Sequence, residues 1–158
     1  MTENEYIPIT ETPYASKLAK DYLRGKDIGI NNPLVTDYEA ILELTKTRNF
    51  SETNRNSLVE ALLNQYEKDG IQLDKNSKVY QNIISLKESN TFSFTSGQQI
   101  HIFLGPLFFI YKIQSLLRHV KNFNALNNGV KAVPVFWMAS EDHDLEEINF
   151  VKLYGETY

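Results

Sequence analysis

Two strand-like runs joined by one helical run constrain the fold of this chain more than any other feature. Phe92 and Phe94 alternate with polar residues, as in a strand with one buried face, and Val133–Met138 is almost wholly apolar, as in a parallel strand covered on both faces. Between these runs apolar residues recur every three or four positions, which is the spacing of an amphipathic helix. They are Leu107, Ile110, Ile113, Leu117 and Val120. The pattern predicts a βαβ unit with two parallel strands.

Before residue 90 the pattern is helical. Four helices are predicted, over residues 14–24, 37–47, 52–69 and 74–87. Asp37 is a candidate N-cap, Ser51 precedes the third helix, and Gly25 and Gly70 are candidate stops. The residues expected to face inward are Leu18, Tyr22, Leu23, Tyr38, Ile41, Leu42, Leu44, Leu58, Leu62, Tyr66, Val79, Ile83 and Leu86. The sequence therefore predicts a helical amino-terminal region, residues 1–89, followed by the start of an α/β core, residues 90–158.

The predicted sheet is small. A third strand at Phe150–Tyr154 has only a weak pattern, so the βαβ unit supplies two or three neighbouring strands. A parallel sheet of that size has open edges and an uncovered face. We therefore expect the chain to be the front portion of a larger fold.

Composition excludes several classes of function. A formal net charge of −4 argues against a nucleic-acid platform, which usually carries a basic stripe. No apolar run approaches the ~18 residues of a membrane span, and the acidic start lacks the features of a signal peptide. Cysteine is absent, which excludes disulfides, thiolate nucleophiles and sulfur-ligated metals. A cytoplasmic protein without nucleic-acid or membrane partners is the expectation.

Polar residues follow the first predicted strand. Gly97, Gln98 and Gln99 come directly after it, and they are either an ordinary turn or part of a binding loop. Gly105 and Pro106 precede the helical run, with Pro106 at the first helical position, where no backbone donor is needed. They are either a plain helix start or an anion site at the helix amino terminus.

Lys112 lies a turn and a half into the same helical run. It could neutralise a phosphate there, or it could be an ordinary exposed lysine. The spaced glycines of a dinucleotide fingerprint and the lysine and hydroxyl signature of a P-loop are both missing.

Four charged or titratable residues follow the second predicted strand. They are Glu141, Asp142, His143 and Asp144. One of the acids can cap a following helix, which is the plain interpretation, but a cap does not explain all four. A histidine beside carboxylates can act as a general base, and carboxylates can hold a substrate ammonium. Only one histidine lies nearby, so a metal site ranks last and none is predicted.

At these residues the chain resembles a known family. It is similar to the amino-terminal part of the bacillithiol biosynthesis cysteine-adding enzymes, the cysteine ligases, and more similar to the Bacteroidetes type than to the Bacillus type. The most specific matches are Gly-Pro-Leu-aromatic-x-x-Tyr-Lys, ending at Lys112, and Trp-Met-Ala-x-Glu-Asp-His-Asp, ending at Asp144. The other matching runs are Thr95–Gln99, Phe103–Leu104, Pro134–Phe136, Glu146–Asn149, Lys20–Gly25 and Leu58–Leu62 with Tyr66.

The resemblance implies a Rossmann-like core related to nucleotidyl-transferase and class I synthetase folds. It also implies a longer parent protein that forms a homodimer through a coiled coil. The implied reaction is the last step of bacillithiol synthesis, which joins cysteine to the amine of glucosaminyl-malate. ATP or ADP is the candidate cofactor, although the synthetase-type His-x-Gly-His signature is absent.

The reaction suggests roles for the candidate residues. Gln98 and Gln99 would contact the sugar or malate groups, and Lys112 would face a phosphate or carboxylate with the helix start. Asp142 and Asp144 would hold the substrate ammonium, and His143 would remove its proton. Two alternatives stay open: a nucleotide- or sugar-binding module without catalysis, and a structural fragment that needs the rest of the parent chain.

Overall fold

The structure is a computed structural model that describes residues 6–29, 33–99, 107–126, 129–140, 149–150 and 152–158. Its helices are α1 (Lys17–Leu23), α2 (Tyr38–Thr47), α3 (Glu52–Lys68), α4 (Lys78–Ser85) and α5 (Leu107–Ala125), with a short 3-10 helix at Ile9–Glu11. Its strands are β1 (Thr91–Gln99), β2 (Lys131–Ala139), β3 (Lys152–Leu153) and β4 (Glu156–Thr157). The chain divides into two compact units, residues 1–44 and 45–158. The predicted domain division near residue 90 stays a prediction.

In the first unit, local polar contacts define α1. The Ser16 hydroxyl accepts a hydrogen bond from the Ala19 N–H at 3.2 Å, which caps the helix, and the predicted stop Gly25 has a φ of 68°. The Lys26 ammonium lies 2.7 Å from the Asp21 carboxylate and lowers the pKa of that group. The helix therefore begins two or three residues later than predicted, where a cap is available.

Burial in the first unit differs from the prediction. Leu18 and Leu23 were expected to face inward, but both are exposed. Tyr22 is half-buried, and its hydroxyl donates to the Pro33 carbonyl at 2.8 Å. Asp37 is confirmed as a cap, because its carboxylate accepts from the Ala40 N–H at 3.0 Å. This unit is held by capping and turn contacts, since none of its described residues is fully buried.

Two helices of the second unit, α3 and α4, begin at serine caps. Ser51 accepts from the Asn54 N–H at 3.2 Å and is confirmed as the start of α3, and Ser77 caps α4 in the same way. The prediction that the fourth helix begins near Asp74 is wrong. Asp74 instead closes a turn, with its carboxylate accepting from the Asn76 N–H at 2.9 Å. The backbone from Asp74 to Asn76 is in this turn, so it cannot also form the first turn of α4.

β1 and β2 form the predicted parallel pair. Phe92 is paired with Ala132, and Gln99 with Ala139 at the far end. Val133 packs with α3 and α4 in a core cluster that also contains Val59, Ile83 and Leu86. The rings of Phe94 and Phe123 lie 5.2 Å apart, as do those of Phe109 and Phe136, so α5 covers the opposite face of the sheet. The second unit is thus a three-layer α/β arrangement.

The buried stripes of the helices agree only in part with their predicted positions. In α5 the buried residues are Leu116, Val120 and Phe123, whereas Leu107, Ile110 and Leu117, which were predicted to face inward, are exposed. In α3 and α4, Leu58 and Val79 were predicted to face inward but are exposed, and Val59, which was not predicted, is buried. The predicted burial of Ile83 and Leu86 is confirmed. Each of these helices has more apolar residues than one face can bury. The packing against the sheet selects the face.

Arg55 is a buried charge that joins three elements. Its side chain is 5% exposed, and its guanidinium donates to the carbonyls of Phe50 (3.2 Å), Leu86 (3.0 Å), Ser89 (3.2 Å) and Thr91 (2.9 Å). Three of these carbonyls, at Leu86, Ser89 and Thr91, lie between the end of α4 and the start of β1, so one side chain in α3 holds the connection between helix and sheet. A fixed fork of five N–H groups suits arginine to this task.

At the beginning of β2, the edge of the strand that faces away from β1 is not available to a further strand. The Asn124 amide, in the last turn of α5, accepts from the Ala132 N–H at 2.8 Å and donates to the Ala132 carbonyl at 2.9 Å. The Lys131 N–H donates to the carbonyl of Asn90, the residue before β1. By alternation, the backbone hydrogen-bonding groups of Ala132 and Pro134 are directed away from β1. Because proline has no N–H, a further strand cannot pair regularly at this end.

The weakly predicted strand at Phe150–Tyr154 becomes a short hairpin. β3 and β4 pair antiparallel around Tyr154 and Gly155, whose φ values of 53° and 89° are those of a tight primed turn. Within the described residues these two strands form a sheet separate from β1 and β2. None of the helices in the described part of the chain combines the length and apolar character that a membrane span requires.

We predict that Arg55→Met lowers the free energy of unfolding by about 3 kcal/mol, because it leaves several buried carbonyls without a donor. Urea denaturation measures the change. Arg118→Met is the matched control, since Arg118 is exposed and its loss should change stability by less than about 0.5 kcal/mol. Equal effects of the two substitutions would contradict the role assigned to Arg55.

Candidate functional site

The candidate site lies where β1 and β2 end. Gln98 is paired with Met138 and Gln99 with Ala139, so both strands reach the same edge of the sheet. The helix between them, α5, begins at Leu107 after β1 has ended at this edge. In open parallel α/β sheets, ligands bind at the carboxyl ends of the strands.

The interpretation of Gly97, Gln98 and Gln99 as a loop is wrong, because all three belong to β1. Gly97 lies against Trp137 of β2, and a Cβ atom at Gly97 would be 2.9 Å from the Trp137 carbonyl oxygen and 3.2 Å from its Cβ. Glycine is therefore needed here for close approach of the two strands rather than for a turn. Because Gly97 has no side chain, β1 can stay paired with β2 as far as Gln99.

Extension of the strand separates the two glutamines. Successive side chains of a strand point to opposite faces, so Gln98 and Gln99 cannot both face one ligand as neighbouring loop residues could. Gln98 lies on the face covered by α5, since Lys112 of that helix contacts it. Gln99 lies on the other face, together with Trp137.

Lys112 brings α5 to the end of β1. Its ammonium donates to the side-chain oxygen of Gln98 at 2.7 Å and to the Gly97 carbonyl at 3.2 Å. The ammonium also lies 5.4 Å from the centre of the Phe108 ring, within the range of a cation–π interaction. Lys112 is exposed, as the plain interpretation expected, and its ammonium also contacts three groups at the sheet edge.

Two aromatic residues at this edge were not among the predicted site residues. Trp137 is 57% exposed, and Phe108 is 47% exposed beneath the Lys112 ammonium. The spacing of Phe108 and Lys112, four residues apart in a helix, is a signal that could have indicated their contact. For Trp137 the signals were its position at the end of an apolar strand and its place at the start of the Trp-Met-Ala-x-Glu-Asp-His-Asp motif.

The remaining predicted site residues lie outside the described residues. They are Gly105, Pro106, Glu141, Asp142, His143 and Asp144. The last four follow Ser140, whose N–H donates to the Met138 carbonyl at 2.8 Å as the chain leaves β2. Their roles stay predictions.

The described residues offer cationic and neutral donors rather than metal ligands. Across the described ranges, no three histidine or carboxylate side chains lie close enough together to hold a metal ion. What the described part of the site can do is bind oxygen atoms, because an ammonium and an amide converge there.

Comparison with models of known protein families shows which family the chain belongs to. Residues 2–158 match the family model described as "Bacillithiol biosynthesis BshC, N-terminal Rossmann-like domain". This chain belongs to the BshC family. The Rossmann-like fold implied by the sequence resemblance is therefore confirmed, and the βαβ unit of β1, α5 and β2 is part of that domain.

Relatives in the BshC family are similar over most of the chain. A protein of Flavobacterium johnsoniae named "Putative cysteine ligase BshC" is 38% identical over 149 residues, which is 92% of this chain and 27% of that protein. A protein of the same name from Christiangramia forsetii is 35% identical over 156 residues, 96% of this chain and 28% of the relative. One from Bacillus cytotoxicus is 42% identical over 95 residues, 60% of this chain and 17% of the relative.

These alignments have two consequences. The first two relatives align with nearly all of the chain, which confirms the Bacteroidetes-type resemblance within the BshC family. The chain spans little more than a quarter of the length of those relatives, 27% and 28%.

We predict that Gly97→Ala lowers the free energy of unfolding by about 1–3 kcal/mol, because the new methyl group would overlap a backbone oxygen of β2. Urea denaturation followed by circular dichroism measures the loss. Ser93→Ala is the control, since Ser93 is exposed on the same strand.

The loss should persist in a Trp137→Phe background, because the nearest atom belongs to the main chain and not to the indole. A Gly97→Ala protein as stable as the Ser93→Ala protein would contradict the close approach of the strands.

Proposed function

We propose that this chain is the amino-terminal part of a ligase that joins cysteine, through its carboxyl group, to the amine of glucosaminyl-malate as the last step of bacillithiol biosynthesis. Membership of the BshC family and relatives named as cysteine ligases support the ligase class. The structural observation that carries the proposal is the Lys112–Gln98 pair at the carboxyl ends of β1 and β2, where a Rossmann-like fold binds its ligands.

Amide formation sets the requirements for the site. The carboxyl group must be activated, the attacking amine must be unprotonated, and the leaving group must be stabilised. In this proposal His143 removes the amine proton, and Asp142 and Asp144 hold the amine-bearing substrate. Glu141 lies beside them in the chain. Proximity of these residues to the end of β2 in the sequence supports the assignment, because that strand ends at Ala139.

Groups on β1 and α5 would bind the anionic parts of the substrates. Lys112 is the described cation at this edge, and its charge suits a carboxylate of the malate group or a phosphate. The predicted helix start at Gly105 and Pro106 would add backbone N–H donors from Gly105 and Leu107 to the same anion, since proline itself has no N–H. A nucleotide such as ATP, when bound, would supply the energy that activates the cysteine carboxyl.

The proposal extends to the intact protein. The family resemblance supports a cytoplasmic homodimer that pairs through a coiled coil located in the rest of the parent sequence. Cysteine and glucosaminyl-malate would be its small-molecule partners. Analytical ultracentrifugation of the intact protein tests the dimer independently of the ligation assay.

The isolated 158-residue chain should not catalyse the ligation. The chain corresponds to 27–28% of its first relatives, and a cleft at the edge of two parallel strands needs walls from later elements. The assay supplies cysteine, glucosaminyl-malate and ATP and follows the amide product by mass spectrometry. The intact protein is the positive control, and comparable turnover by the isolated chain would contradict the prediction.

In the intact protein, His143→Ala should lower kcat by about 100- to 10,000-fold with a smaller effect on KM, because a general base acts in the transition state. Asp142→Asn or Asp144→Asn should instead raise KM for glucosaminyl-malate, because each removes a charge that holds the ammonium.

The pair of effects separates catalysis from binding. An unchanged kcat in His143→Ala would show that the base lies elsewhere. Substrate binding without turnover in the unaltered intact protein would favour the non-catalytic module over the ligase.

A further inference from the structure

The contact between Lys112 and Gln98 determines which atoms Gln98 can offer to a ligand. An ammonium group donates hydrogen bonds and cannot accept them, so the atom of Gln98 that lies 2.7 Å from it must be the amide oxygen. The NH₂ group of the amide is then on the other side of the same carbon atom and is directed away from the ammonium. Without such a contact, a glutamine amide can rotate by about 180° and exchange the positions of its oxygen and NH₂ group, because the two have similar size.

We propose that Lys112 is a positioning residue that fixes the Gln98 amide with its NH₂ group toward the ligand, so that this position binds an anionic oxygen group. The chemical class of the ligand group is a carboxylate or a phosphate. The inference rests on the proposed function only for the identity of the ligand, which would be the malate carboxylate of the amine-bearing substrate.

Three features of the pair favour an anion. The ammonium has three N–H groups, of which the described residues Gly97 and Gln98 accept two, so a third can donate to a ligand oxygen. The hydrogen bond from the ammonium to the amide oxygen polarises the amide, which makes its NH₂ group a stronger donor to a negative oxygen. The Phe108 ring, 5.4 Å from the ammonium, covers one side of it and limits its rotation.

A neutral hydroxyl-rich ligand would not need this arrangement. A sugar hydroxyl both donates and accepts, so it can bind to either end of an amide, and a fixed orientation gives it little advantage. A carboxylate or phosphate only accepts, and it is repelled by an amide oxygen. The fixed orientation therefore discriminates between the two classes of ligand at Gln98.

Side-chain NMR of the 15N-labelled chain tests the proposal. The NH₂ resonances of Gln98, assigned by their loss in Gln98→Leu, are followed during titration with L-malate, inorganic phosphate and dimethyl L-malate. We expect an anion to shift both resonances and the uncharged ester to leave them in place. Malate alone, or malate more strongly than phosphate, would indicate the substrate carboxylate, and phosphate alone would indicate a nucleotide phosphate; both results support the fixed orientation.

Substitution of Lys112 distinguishes positioning of the Gln98 amide from simple attraction between the lysine charge and the anion. Lys112→Met should weaken the binding of the anion about fivefold, because exposed charge contacts are modest in water. Lys121→Met is the matched control, since Lys121 is an exposed lysine on the same helix, and it should leave the affinity unchanged. In the Gln98→Leu background the effect of Lys112→Met should fall to about twofold, because the lysine then has no amide to orient.

Two results would overturn the inference. One is that neither anion shifts the Gln98 resonances, and the other is that Lys112→Met and Lys121→Met have the same effect on affinity. Both are independent of the ligase proposal, which fails instead if the intact protein does not form the amide product. A ligase with an unchanged Lys112→Met affinity would keep its function and lose only this role for Lys112.

Discussion

The buried guanidinium of Arg55 is the interaction on which the second unit depends. Its N–H groups donate to four backbone carbonyls, at Phe50, Leu86, Ser89 and Thr91. A charge in this position is costly unless its donors are satisfied, and the carbonyls that follow a helix are equally costly unless they find donors. The guanidinium supplies the donors that the carbonyls need, and the carbonyls supply the acceptors that the guanidinium needs. This exchange fixes α3 to the turn that leads from α4 into β1. The register of the sheet starts from that turn.

The two ends of the parallel sheet are built differently. At the beginning of β2, Asn124 and Pro134 close the outer edge, and Val133 and Phe123 are almost fully buried on the two faces. At the carboxyl end, Trp137 and Met138 are exposed, and polar contacts replace apolar packing. Stability is thus concentrated at one end of the strands. The other end is left with the exposed groups that ligand binding requires.

The candidate site joins this open end to the helix. Lys112 contacts β1 through Gly97 and Gln98, so the start of α5 is held against the sheet edge by an ammonium as well as by apolar packing farther along the helix. Gly97 serves the same edge in another way, because its lack of a side chain lets Trp137 lie against β1. The candidate site and the packing of the strands therefore share the last three residues of β1.

The sequence by itself determined the elements, their order and the parallel pairing, since hydrophobic period, serine and aspartate caps, and glycine stops are local signals. It also indicated which polar residues lie near the strand ends, and its motifs identified the family. Tertiary structure decided which apolar stripe of α5 is buried, that Gly97 to Gln99 continue β1, and that Arg55 and Asn124 bind backbone groups distant in the sequence. These outcomes depend on neighbours brought together by folding. A helix with two apolar stripes, or a glycine after a strand, has no local feature that specifies its partner.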